Sequence, residues 1–465
     1  MKQFRLFLLL TAGLFLASCS KPQPDEFPNP DPPATVSRHA VPIDRALGEL
    51  DDLLGVIDGQ GTRAGGVRTV AQVQTLHSQA LPLTRSAGEP GEQPENLLYV
   101  VNFEDDAGYA VLGADDRLPA VLAVTDEGSL TTDELVRAAN GQTAPEEFTF
   151  PNEMLMNYVS GSGGIGSGGI SGGGIGGGGG IPTGPITDFD KQLGNPDPFF
   201  SHYEWTDWET LEKIPPVIFT KWNQNNPYNC FCPTTGQFII DYDKCAIEKR
   251  CYAGCVPIAC AQIVAYHSKV NAPPMIGNNM INWDLIHRAM SIPYIPKILH
   301  NTIPPETSAV GVFIRSVGDA VVTNYGADKS SAYTKDAETF FRWLGYQDVY
   351  RRGYDWGGIR TSLINHRMPV FICGYSTVAG HAWILDGILQ QQQDRLYVSI
   401  TGEKHVVDSK HRYLVHCNYG WGGSKDGYYN PEIFDTAAGP IIRENSKGPG
   451  DYSNKVEIIT YSSPI

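Results

Sequence analysis

Positive charge is in short supply in this chain: 35 lysines and arginines face 51 aspartates and glutamates, a net charge of −16. This balance argues against nucleic acid as a partner, because Lys and Arg must neutralise the phosphates. Long apolar runs are scarce too. The one pronounced run, Leu6 to Leu16, is shorter than the roughly 20 residues a spanning helix needs. The nine cysteines in 465 residues are too few for a disulfide-built scaffold. In an exported protein they suffice for a few bridges plus one reactive thiol. Charged residues make up only 18% against 41% hydrophobic, which excludes a disordered or coiled-coil chain.

What is present is unevenly distributed. Lys2 and Arg5 precede the Leu6–Leu16 run, and Leu16-Ala17-Ser18-Cys19 closes it. This reads as a signal peptide over 1–18 ending in a sequence similar to a bacterial lipobox, with lipid on Cys19. An ordinary signal peptide with an incidental cysteine is the alternative. Residues 19–42, rich in Pro, read as an extended tether. Glycine is in excess, at 50 residues, and fourteen of them fall between 161 and 180. Residues 159–190 are therefore expected to be a flexible linker. It separates an N-terminal domain, 43–158, from a C-terminal domain, 191–465. In the former, Leu47, Leu50, Leu53 and Leu54 recur at helical spacing, and 97–103 with 109–112 read as a hairpin.

The second half carries the chemistry. In Gly254-Cys255-Val256-Pro257-Ile258-Ala259-Cys260-Ala261-Gln262-Ile263, Pro257 is tolerated only in a first helical turn, so a buried helix begins near Cys255. There the unpaired amides and the macrodipole would favour a thiolate. A small core cysteine is the competing reading, as expected for Cys260, Cys373 and Cys417. A nucleophilic thiolate needs a base and a group to hold that base. His381, in Gly380-His381-Ala382-Trp383-Ile384-Leu385-Asp386-Gly387, opens an apolar strand at roughly the separation of about 130–150 residues known for papain-like enzymes. Farther on, Asn418-Tyr419-Gly420-Trp421-Gly422-Gly423 offers an amide to orient the imidazole and an aromatic to shield it. Upstream, Gln224 in Trp222-Asn223-Gln224-Asn225-Asn226-Pro227-Tyr228-Asn229 could donate to an oxyanion.

In this order these segments resemble the streptopain family of cysteine peptidases. Residues 99–103 and 114–119 resemble that family's pro-domain. The resemblance implies an α+β, papain-like fold with a helical and an antiparallel β subdomain, preceded by a smaller α+β pro-domain that blocks the cleft. It assigns Cys255 as nucleophile, His381 as general base and acid, Gln224 as oxyanion donor, and Asn418 and Trp421 as the residues that orient and shield His381. Cys230, Cys232, Cys245 and Cys251 depart from the pattern. Outside the cytoplasm they are expected to form disulfides in preference to a zinc site, with three pairings open.

The expected protein is a cysteine endopeptidase made as a zymogen, exported and lipid-anchored in the bacterial cell envelope, with release of the catalytic domain on maturation. It acts on protein or peptide substrates through an acyl-enzyme, with its own pro-domain as inhibitor and with no cofactor, metal or nucleic acid. The alternatives are a peptidoglycan-cleaving Cys-His amidopeptidase and a catalytically dead surface binding module. Lys191 and Lys213 are candidate cutting points, and 437–454 a candidate mobile loop at the cleft.

Overall fold

The computed structural model describes residues 39–59, 68–81, 94–140, 150–160, 199–240, 246–298, 302–375, 380–435 and 456–462. The signal sequence with Cys19, most of the tether and of the linker, Lys191, Cys245 and the 437–454 loop lie outside them.

The N-terminal region runs α1 (Ile43–Asp58), β1 (Val70–His77), β2 (Asn96–Phe103), β3 (Tyr109–Gly113), β4 (Val121–Thr125), α2 (Thr132–Ala139) and α3 (Phe150–Ser160). β5 (Phe200–Trp205), β6 (Glu209–Ile214), β7 (Thr234–Ile240) and β8 (Ala246–Arg250) follow. The helical part then comprises α4 (Cys255–His267), β9 (Met275–Ile276), β10 (Asn279–Met280), α5 (Trp283–Ala289), α6 (Pro305–Ala320) and α7 (Thr334–Trp343). The chain closes with β11 (Tyr350–Gly353), α8 (Trp356–Arg360), β12 (Val370–Tyr375), β13 (Gly380–Ser399), β14 (Lys404–Asn418), β15 (Gly427–Tyr429) and β16 (Val456–Thr460). This is the α+β, papain-like arrangement: helices on one side, an antiparallel sheet on the other.

Alternation decides the N-terminal layers. In β2, Leu98 and Val100 point into one apolar cluster and Tyr99, Val101 and Phe103 into another. In β3, Tyr109 and Val111 join the first, Ala110 and Leu112 the second. Such period-2 placement buries both faces of a strand. One face is covered by Leu50, Leu53 and Leu54 of α1, the other by Leu135 of α2 and residues 154–159 of α3. The leucines at helical spacing and the hairpin at 97–112 thus form as their patterns predict, β2 pairing β3 with Val100 opposite Val111.

The sheet does not stop at the end of the N-terminal region. Its strand order is β1-β2-β3-β4-β15-β14-β13-β12-β16-β11, with β5 and β6 pairing farther along β13. The seam is the antiparallel pair β4–β15, where Gly427, Tyr428 and Tyr429 face Thr125, Val124 and Ala123. A Cβ at Gly427 would collide with the Val124 carbonyl, so the strands can approach this closely only because residue 427 is glycine. The core follows the same path. One cluster holds Leu98, Leu122 and Met156 together with Trp383, Tyr419, Trp421 and Tyr429.

The helical part packs around α4. Val256, Ile258, Ala259, Cys260, Ala261, Ile263 and Val264 are all buried, against Val310, Phe313, Ile314 and Val317 of α6 and Phe340 and Phe341 of α7. A helix apolar on every side must be enclosed on every side. Among the described residues no helix is long and apolar enough to cross a membrane.

Candidate active site

The segment that carries Cys255 begins as its sequence requires. Gly254 precedes α4 with φ 94° and ψ 146°, and Pro257 stands in the first turn. A side chain at 254 would strain that backbone and press on Pro257 Cδ at 3.3 Å and Ser330 Cβ at 3.4 Å. Gly254→Ala is expected to cost about 1–3 kcal/mol, read as a lower urea midpoint at unchanged slope. Cys255 itself retains partial exposure. Its thiol sits beneath enough protein that burial pushes it up, against backbone N–H groups of Ala382, Val256 and Cys255 that favour the thiolate. The Ala382 contact places the sulfur beside the residue that follows His381.

His381 lies at the start of β13, paired with Gly374 of β12. Its Nε2 is 2.9 Å from the Tyr419 carbonyl. A carbonyl only accepts, so Nε2 carries the hydrogen and Nδ1 is the basic nitrogen of the neutral ring. Trp421 stacks on the imidazole at 4.2 Å between centroids, and Trp383 lies parallel to it at 6.1 Å, 4° from coplanar. Enclosed in this way, the ring is 5% exposed and burial pushes its pKa down to about 3, the Tyr419 carbonyl opposing weakly. Burial therefore disfavours the charged form of both the thiol and the imidazole in this arrangement.

Gln224 and Asn418 are tied in through backbone. The Gln224 carbonyl accepts from Ala253 N at 2.9 Å, which sets this segment beside the turn that leads into Cys255. Gly422 N donates to the Trp222 carbonyl at 3.1 Å, which closes the Trp421 loop onto the same segment. Asn418 Nδ2 donates to the Thr220 carbonyl at 3.0 Å, and its Oδ1 accepts from Gly420 N at 3.1 Å. Asn418 thereby fixes the backbone on both sides of the carbonyl that bonds His381. All five residues named from the sequence thus converge on one locality.

A buried charged cluster beside them had no sign in the sequence beyond polar residues in apolar strands. His416 Nδ1 meets Asp386 Oδ1 at 2.6 Å, and its Nε2 meets Asp126 Oδ2 at 3.5 Å. Burial works against the charged ring, but Asp386 and Asp126 outweigh it and raise His416 to about 10. Asp386 also accepts from Ile218 N at 3.0 Å. Asp426, pushed up to about 7 by burial, accepts from Tyr419 N at 2.7 Å. Asp126 and Glu127 come from the N-terminal region: Asp126 N donates to the Asp426 carbonyl at 2.8 Å, and Glu127 meets Lys221 Nζ at 2.9 Å.

Cys230, Cys232 and Cys251 are free, buried thiols, so the expected bridges are not formed among the described cysteines. Cys260, Cys373 and Cys417 are buried and free as expected. Among the described residues the group with metal-ligand spacing is His39, Asp115 and Asp116. There Arg117 takes both Asp115 oxygens at 2.7 Å and His39 meets Asp116 at 2.7 Å. Lys213 lies within β6, its ammonium donating to the Val56 carbonyl at 2.6 Å, so a cut there requires the strand to open.

Residues 222–429 match the model of the peptidase C10 family. Streptopain of Streptococcus pyogenes serotype M1 is 24% identical over 253 residues, 47% of this chain and 56% of its own length. Thiol protease/hemagglutinin PrtT of Porphyromonas gingivalis is 23% identical over 406 residues, 80% of this chain and 38% of its own length. The chain therefore spans about half the length of the streptopains it matches, and less of PrtT.

Proposed function

We propose that this chain, whose residues 222–429 form a peptidase C10 family domain, is a cysteine endopeptidase synthesised as a zymogen. One observation carries the reading: the Cys255 thiol lies at a helix N-terminus against the backbone of Ala382, the residue after His381, whose Nε2 is held by Tyr419 O and whose ring face is covered by Trp421. Proton transfer from Sγ to His381 Nδ1 gives the thiolate, which attacks the substrate carbonyl. Gln224 and the Cys255 amide stabilise the oxyanion, and the imidazolium protonates the leaving amine. Water then attacks the thioester, His381 taking its proton, and the carboxylic acid and free thiol are restored.

The zymogen part rests on the N-terminal region's grip on the site. Asp126 engages His416 and Asp426, Glu127 engages Lys221, and both lie just after the strand that pairs with β15. In the docked chain Leu98, Leu122 and Met156 share the cluster of Trp383, Tyr419 and Trp421 that encloses His381, and burial disfavours the charged forms of both His381 and Cys255. Undocking would let water reach the site and the thiolate–imidazolium pair form. Lipid on Cys19, a place in the bacterial envelope and release of 191–465 by cutting near the glycine-rich 159–190 segment complete the proposal.

The test is a side-by-side digestion of an unfolded protein and of purified peptidoglycan by the full chain, with N-terminal sequencing of the active species. Peptides from the protein alone, and a new N-terminus beyond residue 160, are expected. Soluble muropeptides would favour the amidopeptidase alternative, and full activity from a species starting near residue 20 would overturn the zymogen reading.

A further inference from the structure

Gln262 is the one strongly polar side chain in the middle of an otherwise apolar helix, and it is 1% exposed. It stands about two turns beyond Cys255 on α4. Its Nε2 donates to Asn418 Oδ1 at 3.0 Å. Its Oε1 accepts from the Thr220 hydroxyl at 2.8 Å and faces Trp222 N at 3.5 Å. The direction of this chain of bonds is fixed by its end. The Thr220 carbonyl can only accept, so Asn418 presents Nδ2 to it and Oδ1 to Gln262, and Gln262 in turn presents Oε1 to Thr220 and Trp222. Neither amide can flip without setting two donors or two acceptors against each other.

Three separate pieces of chain meet on this single amide. They are the nucleophile helix, the 220–224 segment that carries Gln224, and the 418–421 segment whose Tyr419 carbonyl bonds His381. We infer that Gln262 is a positioning residue for the reaction: it sets the distance between the thiol of its own helix, the oxyanion donor and the imidazole. The inference rests on the reading of Cys255 and His381 as the reacting pair. An apolar side chain of equal length would fill the same volume and leave Asn418 Oδ1 and the Thr220 hydroxyl without this partner. Misplacement of that order costs on the order of 10- to 100-fold in turnover.

The distinguishing variant is Gln262→Glu. A buried carboxyl keeps its proton toward neutral pH. Protonated, it donates O–H to Asn418 and accepts from Thr220 as glutamine does; ionised, it sets an oxygen against Asn418 Oδ1. Assayed on the active species that the full chain yields on maturation, Gln262→Glu should approach the wild-type kcat at the acid end of the activity range. It should then fall at least tenfold below it as pH rises, with KM little changed. Gln262→Met should be depressed across the range. The alkylation rate of Cys255 by iodoacetamide, followed on its own peptide by mass spectrometry, should show the same pattern without any turnover. A Gln262→Met chain with wild-type kcat, or a pH-independent ratio between Gln262→Glu and wild type, overturns the inference. If Gln262→Met fails to fold, the Gln262→Glu profile decides alone. If the wild type shows no hydrolysis, the functional reading has failed, and the alkylation profile still decides on Gln262.

Discussion

Cys255→Ala should remove hydrolysis of a protein substrate by a factor on the order of 10⁴ or more in kcat/KM, the loss expected when a nucleophile is deleted from a group that acts as a unit. His381→Ala should fall nearly as far, and the double variant no farther, because each residue is useless without the other. The folded state should hardly notice the Cys255 change: the side chain is small and partly exposed, and the apolar residues of α4 beyond it stay packed against α6 and α7. Equal urea midpoints with activity lost would place the effect in the chemistry. An epoxide thiol trap should modify the Cys255 peptide and leave those of Cys260, Cys373 and Cys417 alone, since those three thiols are buried while Cys255 keeps partial exposure. Retained cleavage by Cys255→Ala would sink the assignment.

The second large effect concerns stability. His416→Leu removes the cation between two carboxylates and leaves Asp386, fully buried, with the Ile218 amide as its remaining hydrogen-bond partner shown. Breaking a buried pair from one side costs about 3–5 kcal/mol. Adding Asp386→Asn should recover part of it, because a neutral amide tolerates burial better than an orphaned charge. The pH dependence has a defined sign. The folded pKa of His416, about 10, lies above the roughly 6.5 of an unfolded histidine, so the folded state binds the proton more tightly. Its contribution is complete below about pH 6.5 and is lost as pH rises through 10. Urea midpoints of wild type and His416→Leu should therefore lie farthest apart near pH 6 and converge toward pH 10. A gap that is constant with pH would mean the loss is one of packing.

The helix that starts at Cys255 was legible because its constraints are local. Gly254, Pro257 and the apolar run that follows leave a single register for a buried helix, and the structure starts α4 at Cys255. The place of His381 at the mouth of a buried apolar strand was legible for the same reason. What sequence reading missed is carried by partners far away along the chain. Gln262 and Asn418 are 156 residues apart, and His416 and Asp126 are 290 apart. Within their own segments Gln262, Asp386 and His416 are merely polar residues interrupting apolar runs. That interruption was the available signal, since a buried polar group must find a partner. The role of Asn418 was readable only to the segment: the structure shows it acting on the backbone around Tyr419, a detail no spacing encodes. The continuity of the sheet from the N-terminal into the C-terminal region was hidden as well, because β15 is only three residues long.

That short seam bears on how the protein must be handled and stored by the cell that makes it. On the maturation proposed above, departure of the N-terminal region turns β15 into an outermost strand and wets Leu389, Leu414 and Tyr428, which now pack under α1 and β2. An outermost strand with apolar flanks is where copies of a protein stick to one another. Its length of three residues limits how many rungs a second copy could add. On that maturation the N-terminal region would double as a solubility cover, and the matured species should be the aggregation-prone one, best produced slowly and at high dilution.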